Sequence, residues 1–330
     1  SSINDNVVAK RLNVNKGDPL NLDQLEHDIG QIHGLGAFEK VGYDLAQYED
    51  GVGVMVYATP KSWGPNYLHF GLDMEGDLSG DTATNIVLGY SRSEMNQWAG
   101  EWTTLLQVGQ EPKLFSYLHQ PLGLDLSYFV QPSFSIERTN VGVFSGDDET
   151  AQYELRQSEF QLVVGKEFGA NAVFSLGVNR RSGEVRVAIG DPNLPESDFD
   201  DGGAIATFRY DSIDDIDFPS RGALLNLSYY QALDSMGADE AYRQWRLRSG
   251  IVTTFGNKHT LGVLTSVGGT EDGTASFSRR FLLGGFLNMS GLQVNQLSGE
   301  YAGLVTAFYY RKFDRFKILP AYIGGSAEYG

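Results

Sequence analysis

The 330-residue chain contains no cysteine, which excludes disulfide cross-links and thiolate chemistry and leaves the redox compartment open. Positive charge is scarce: 25 lysines and arginines face 42 acids, for a net charge of -17. A surface that acidic excludes nucleic acid as a partner, because phosphate contacts need a basic face. Histidine is rare too, and His27, His33, His69, His119 and His259 lack the spacing of metal ligands. No stretch reaches the roughly 18 uncharged apolar residues of a membrane-spanning helix. That leaves barrels untouched, since a barrel strand needs only about 10 residues of alternation. The opening Ser1-Ser-Ile-Asn has no signal-peptide regions, so any export signal has been removed or lies outside this chain. Neither a Gly-x-Ser-x-Gly nucleophile elbow nor a phosphate-cradling glycine loop occurs. No catalytic residue, cofactor or metal is therefore assigned.

What the chain does hold is glycine (40 against 10 prolines), tyrosine (17) and phenylalanine (19), the balance of a turn-rich all-β protein. The first 60 or so residues depart from it. Asn4 is placed to cap a short helix over 5–12. A better helix follows at 22–33, where Leu22, Leu25, Ile29 and Ile32 recur on one face. Asn21 and Gln24 resemble a capping box, and Gly34 and Gly36 supply the stop. Strands at 38–45 and 52–59 flank the turn Glu49-Asp50-Gly51. This is the pattern of a small α+β module.

From Asn66 onward the period is two. Over 172–181, Ala172, Phe174, Leu176 and Val178 share one face, and Ser175, Gly177, Asn179 and Arg181 the other. Likewise Gln244, Arg246, Arg248 and Gly250 oppose Trp245, Leu247 and Ile251. A soluble sandwich alternates too, but segments near 127–143, 149–166 and 172–190 far exceed the mean soluble strand of roughly 5–6 residues. Tilted strands crossing a bilayer fit better. The count is about 13, near 66–75, 83–94, 98–109, 112–120, 127–143, 149–166, 172–190, 202–211, 222–233, 241–255, 259–268, 299–312 and 316–329. Trp98, Trp102, Tyr229 and Tyr230 are candidates for interfacial girdles. Arg246 and Arg248 would face a lumen, either lining a hydrated path or pairing with luminal acids.

Alternation fails over about 269–298, where Arg279-Arg280-Phe-Leu-Leu-Gly284-Gly285 leads to Ser290-Gly291. Loops that long are usually functional. Exposed apolar residues at a tip are a liability, while a glycine pair permits close packing. Asp211, Asp214, Asp215 and Asp217 form a second cluster; its spacing is not that of a dedicated calcium loop, and it reads as a turn set by Pro219 and Gly222.

Four stretches carry a family resemblance. Gly17-Asp-Pro-Leu, then Leu25 through Ile32, then Gly36-Ala-Phe38-Glu-Lys-Val41 resembles a POTRA pattern. Lys61-Ser-Trp-Gly-Pro-Asn-Tyr-Leu-His-Phe-Gly71 resembles the joint to a first barrel strand. Asp211-Ser-Ile213-Asp214 through Phe218-Pro219 to Gly222 resembles an Asp-rich turn ending in Phe-Pro-x-x-Gly. Gly284-Gly285 to Gly291 resembles a loop folded back into a barrel lumen. Together they resemble the outer-membrane protein 85 superfamily, and within it the type Vd autotransporters, which carry a patatin-like lipase before one POTRA and the barrel. The resemblance implies a POTRA-like periplasmic module over 1–62 lacking its first strand. It also implies an antiparallel transmembrane barrel over 63–330 with about 13 of 16 strands, three more following residue 330.

The resemblance further implies that the barrel secretes or displays an N-terminal passenger and sits in the bacterial outer membrane. Its partners would be outer-membrane lipid, an attached or unfolded polypeptide, the barrel-assembly machinery and periplasmic chaperones. Arg280, Gly284, Gly285, Ser290 and Gly291 would form the lumen-loop motif. Asp211, Asp214, Phe218, Pro219, Gly222 and Glu328 would seat that loop. Two positions depart from the family: Ser290 stands where an arginine is expected, and Ile213 where arginine is common. Without that arginine, Glu328 loses its family partner, and Arg279 or Arg280 is the substitute at hand. An insertase of other barrels, a lipase anchor without transport, a passive porin and a soluble sandwich are the competing readings.

Overall fold

A computed structural model describes residues 9, 12, 14, 17–33, 38–48, 51–61, 64–76, 82–123, 126–146, 148–256, 258–313 and 321–330. The expected helix over 5–12, the stop at Gly34 and Gly36 and part of the 61–71 joint lie outside them. Helix α1 (Leu22–His33) packs on a hairpin of β1 (Phe38–Tyr48) and β2 (Gly51–Pro60). The Asn21 side chain caps α1 by accepting the Gln24 amide at 3.2 Å, but the Gln24 side chain turns to Asp28 at 2.8 Å rather than closing the box. Leu25 and Ile32 are buried as the spacing predicts, while Leu22 stays exposed.

Thirteen strands then form one antiparallel sheet: β3 (Asn66–Gly76), β4 (Thr82–Arg92), β5 (Glu101–Gly109), β6 (Lys113–Leu122), β7 (Tyr128–Ser145), β8 (Asp148–Phe168), β9 (Ala172–Ile189), β10 (Ser197–Asp211), β11 (Gly222–Ala232), β12 (Arg243–Phe255), β13 (His259–Glu271), β16 (Tyr301–Phe313) and β17 (Ala321–Tyr329). Each pairs with its sequence neighbour, β13 passing directly to β16. The two short strands β14 (Phe281–Leu283) and β15 (Leu297–Gly299) pair with each other inside the long connection. Among the described residues the sheet's ends, β3 and β17, do not pair. Strand β10 starts five residues before the expected position, and residues 316–320 of the last expected strand lie outside the described set.

The two faces of the sheet decide between a sandwich and a barrel. Leu68, Phe70 and Leu72 on β3, Phe160, Leu162 and Val164 on β8, and Phe174, Leu176 and Val178 on β9 are exposed on the outer face. Asn85, Thr103, Ser175, Asn179, Asp201, Gln244 and Thr306 are buried on the inner one. A soluble sandwich buries its apolar face; this sheet does the reverse, as a lipid-facing barrel wall must. Strands β7, β8 and β9, of 18, 21 and 18 residues, outrun the apolar band. Beyond it their outer face carries ion pairs such as Arg156–Glu154 at 2.5 Å and Arg186–Asp198 at 2.5 Å.

Period two also corrects the girdle assignment. Tyr229 faces outward at 42% exposure, but its neighbour Tyr230 must face inward and is 3% exposed. Trp98 lies elsewhere: with Ala99 it packs against Ile32, Phe38 and Leu126, joining the N-terminal module to the lower-end loops of the sheet.

Candidate functional site

The connection from β13 to β16 leaves the upper end of the sheet and turns back along the inner face. Its root is held by a buried charge. The Arg279 guanidinium donates from Nε to Asp201 Oδ2 at 2.9 Å and from a terminal nitrogen to Asn179 Oδ1 at 3.0 Å. It also lies over the Tyr230 ring, 3.8 Å from its centroid. Asp201 accepts two more hydrogen bonds, from the Tyr230 hydroxyl at 2.7 Å and the Tyr242 hydroxyl at 2.8 Å. The side chains of Asp201 and Arg279 are 1% and 11% exposed. A carboxylate so far from water is costly unless its acceptors are filled, as they are here. The Arg279 carbonyl is held as well, by Gln244 at 3.0 Å and Arg246 at 2.7 Å.

From this root the loop crosses the inner face. Phe277 packs on Tyr153 of β8, and Gln296 donates to the Gly146 carbonyl in the β7–β8 turn at 3.1 Å. Gly284 follows β14 directly and packs against the backbone of Gln293 to Gln296, ahead of β15. A Cβ there would sit 1.9 Å from the Gln293 carbonyl oxygen, and its φ of +131° is open to glycine alone. Gly285 is buried beside it, whereas Gly291 has open space around it.

The tip is held differently. Glu328 on β17 accepts the Met289 amide at 2.8 Å, the Ser290 amide at 2.7 Å and the Ser290 hydroxyl at 2.8 Å. Leu287 and Met289 adopt positive φ, which turns these amides toward the carboxylate at a cost of about 1–3 kcal/mol each. Glu328 is registered opposite Thr306, four residues along β16 from Ala302, which is level with the loop's Phe281 near Gly268. The tip therefore reaches about 13 Å deeper than the root at strand rise.

These contacts correct two expectations. Neither Arg279 nor Arg280 reaches Glu328: Arg279 is committed to Asp201, and Arg280 faces Glu300 at 3.6 Å. The Ser290 hydroxyl and amide, with the Met289 amide, fill the place of the missing arginine. The Asp-rich turn, in turn, has its described contacts with strands rather than with the loop. Asp211 accepts the Ile213 amide at 2.9 Å. Asp214 accepts the Ser220 amide at 2.8 Å, the Arg221 amide at 3.1 Å and the Ser220 hydroxyl. The Ser220 hydroxyl, then the Arg221 and Ser220 amides, hold the Asp214 carboxyl down at about 2.

Gly222 has φ of +121° at the close return into β11. Phe218 stacks on Tyr322 at 4.0 Å and meets Tyr310 edge-on, whose hydroxyl donates to the Pro219 carbonyl. Thr254 donates to the Ser220 carbonyl at 2.7 Å. The turn thus braces β12, β16 and β17 at the lower end, across the sheet from the loop's root.

Sequence reasoning did not find Asp201, and it placed Tyr230 on the wrong face. Asp200-Asp201-Gly202-Gly203 reads as a polar turn because β10 there has left the apolar band and is polar on both faces. The usable signal was parity: counting back by twos from Thr207 puts Asp201 on the inner face beside Arg181.

A sequence profile of the Omp85 superfamily domain matches residues 111–314, a span from just before β6 to the end of β16 that includes the loop. Among solved structures, BamA from Haemophilus ducreyi lacking POTRA domains 1–3 aligns over 99% of this chain and 69% of its own, with a TM-score of 0.70 and 12% identity. CdiB from Escherichia coli aligns over 95% and 60%, with a TM-score of 0.62 and 14% identity. CdiB from Acinetobacter baumannii aligns over 100% and 62%, with a TM-score of 0.64 and 11% identity. The chain thus spans less than two thirds of either CdiB. Among curated sequences, none matches this one. The fold is shared with these structures, and the profile match, with the inward loop inside it, gives the affiliation: the chain belongs to the Omp85 superfamily.

Proposed function

We propose that this chain is the translocating part of an outer-membrane protein that secretes or displays a polypeptide attached at its N-terminal side. Residues 1–62 act as a periplasmic POTRA module and the connection over 272–300 as a hinged flap. The observation that carries this is the asymmetric seating of the loop: a buried ion pair at the root, and a half-exposed carboxylate bonded to backbone at the tip. A loop fixed equally along its length would be a strut. One that is tight at its root and lighter at its tip can swing without leaving the barrel. The N-terminal hairpin would take an extended client by adding a strand, where main-chain bonds give affinity without sequence choice. A patatin-like lipase as the passenger rests on the sequence resemblance alone.

The absence of cysteine makes a direct test available. In the full-length parent, S290C/E328C bridged by a short thiol-reactive linker pins the tip to β17. Export of the passenger, read by its sensitivity to added protease, should fall at least tenfold and recover when a cleavable linker is opened. Undiminished export with the tip pinned would show that export does not need the flap to move. The likeness to BamA favours a second reading, insertion of other barrels. In that case the pinned protein would export its own passenger normally and fail to assemble an unrelated barrel.

A further inference from the structure

The inner wall formed by β10, β11 and β12 carries an uncompensated set of arginines. Arg209 on β10, Asn226 on β11 and Arg248 on β12 are direct register partners in one row. Arg246 stands two residues from Arg248 on the same face of β12. Adjacent strands lie about 4.8 Å apart, so Arg209 and Arg248 flank Asn226 about 10 Å from one another, within converging reach of one anion. All four residues are exposed, although they share the inner-face parity of Gln244 and Tyr230.

Three other inner cations have acids. Lys113 pairs with Glu137 at 2.6 Å, Arg181 with Glu159 at 2.7 Å and Arg279 with Asp201 at 2.9 Å. Among the described residues no carboxylate comes within pairing distance of Arg209, Arg246 or Arg248. Arg246 instead bonds Gln244 and the Arg279 carbonyl and stacks on Phe281, 4.6 Å from its centroid. A chain with 42 acids does not leave these cations unpaired for want of carboxylates. It leaves them so by placement.

We propose that Arg209, Asn226 and Arg248, with Arg246 alongside, form an anion-binding wall of the lumen. The wall takes carboxylates of an acidic polypeptide segment or small inorganic anions. Two guanidinium forks with an amide between them offer planar donors suited to carboxylate geometry. Charged luminal side chains of this kind also set ion selectivity. The wall stands on geometry alone and does not depend on which polypeptide the barrel handles.

The test uses planar bilayers, with the full chain and with a chain whose residues 286–291 are replaced by a short linker so that current flows. The chloride-to-potassium permeability ratio across a KCl gradient should fall at least threefold in R209Q/R248Q and be kept in R209K/R248K. In a second arm, an oligoglutamate peptide should block the parent channel and spare the R209Q/R248Q channel. A fall in the ratio together with block assigns the wall to acidic polypeptide. A fall in the ratio without block assigns it to small anions. A ratio that R209Q/R248Q leaves unchanged, or that R209K/R248K lowers equally, overturns the proposal.

Discussion

At its root the inward loop is held by side-chain charge taken out of water, and at its tip by a half-exposed carboxylate that accepts two backbone amides and a serine hydroxyl from the loop. The root draws on four strands: Asn179 from β9, Asp201 from β10, Tyr230 from β11 and Gln244 from β12 meet Arg279. The tip draws on one, through Glu328. The difference is one of energetic kind. Breaking a buried pair strands a charge, whereas breaking the tip returns a half-exposed carboxylate to water. The same loop can therefore be permanent at one end and reversible at the other.

The largest expected effect is at the root. Asp201→Ala leaves Arg279 buried without its carboxylate and should weaken loop seating by about 3–5 kcal/mol. Limited proteolysis of the detergent-solubilised protein within 281–296 would read this. Arg279→Ala should cost a similar amount, and the double variant little more than either single change. Additive effects would mean that the two residues do not act as a pair.

Next comes the loop's own fold. Gly284→Ala forces a methyl into the Gln293 carbonyl at a φ that alanine avoids, a cost of about 1–3 kcal/mol or more. Gly291→Ala meets nothing within 4 Å and should leave proteolysis unchanged. Equal sensitivity at the two glycines would show that the close approach of Gly284 to the Gln293 carbonyl is not maintained. At the tip, Glu328→Gln removes the charge from the three hydrogen bonds it accepts from the loop and the one from Ser326, in a half-exposed site, for about 1–2 kcal/mol. Its signature is release of the tip with the root intact: cleavage near Phe286–Gly291 rises while cleavage beside Arg279 does not.

This contrast also explains what could be read in the chain. Alternation exposed the strands inside the apolar band because lipid on one side and water on the other impose opposite chemistry on successive residues. Above the band both faces meet water, the pattern vanishes, and β10 was expected at 202 rather than 197. The tip was partly legible, since Glu328 and Ser290 were singled out together, although Arg279 or Arg280 was expected as the partner of Glu328. The root was not. Its parts lie on four strands, and each is an ordinary polar residue in its own segment. Only the register brings Asp201 level with Arg181 and places Tyr230, rather than Tyr229, inside.

The smallest effect expected on the loop comes from the Asp-rich turn, and it separates the two ends of the sheet most sharply. Asp214 is held by Ser220 and Arg221, and the turn they close rests on Thr254, Tyr310 and Tyr322. Because its folded pKa of about 2 lies below the ordinary 3.8, its contribution is complete above the ordinary value and is lost as pH falls through about 2. Carboxyl titration by NMR should therefore show Asp214 still charged at pH 3. Asp214→Ala should change the environment of Tyr310, seen in its ring resonances, yet leave cleavage of the 281–296 loop as it was. If Asp214→Ala released the loop tip as Glu328→Gln does, the lower turn and the loop would be one coupled unit through β16 and β17. The flap would then be governed from below as well as from its root.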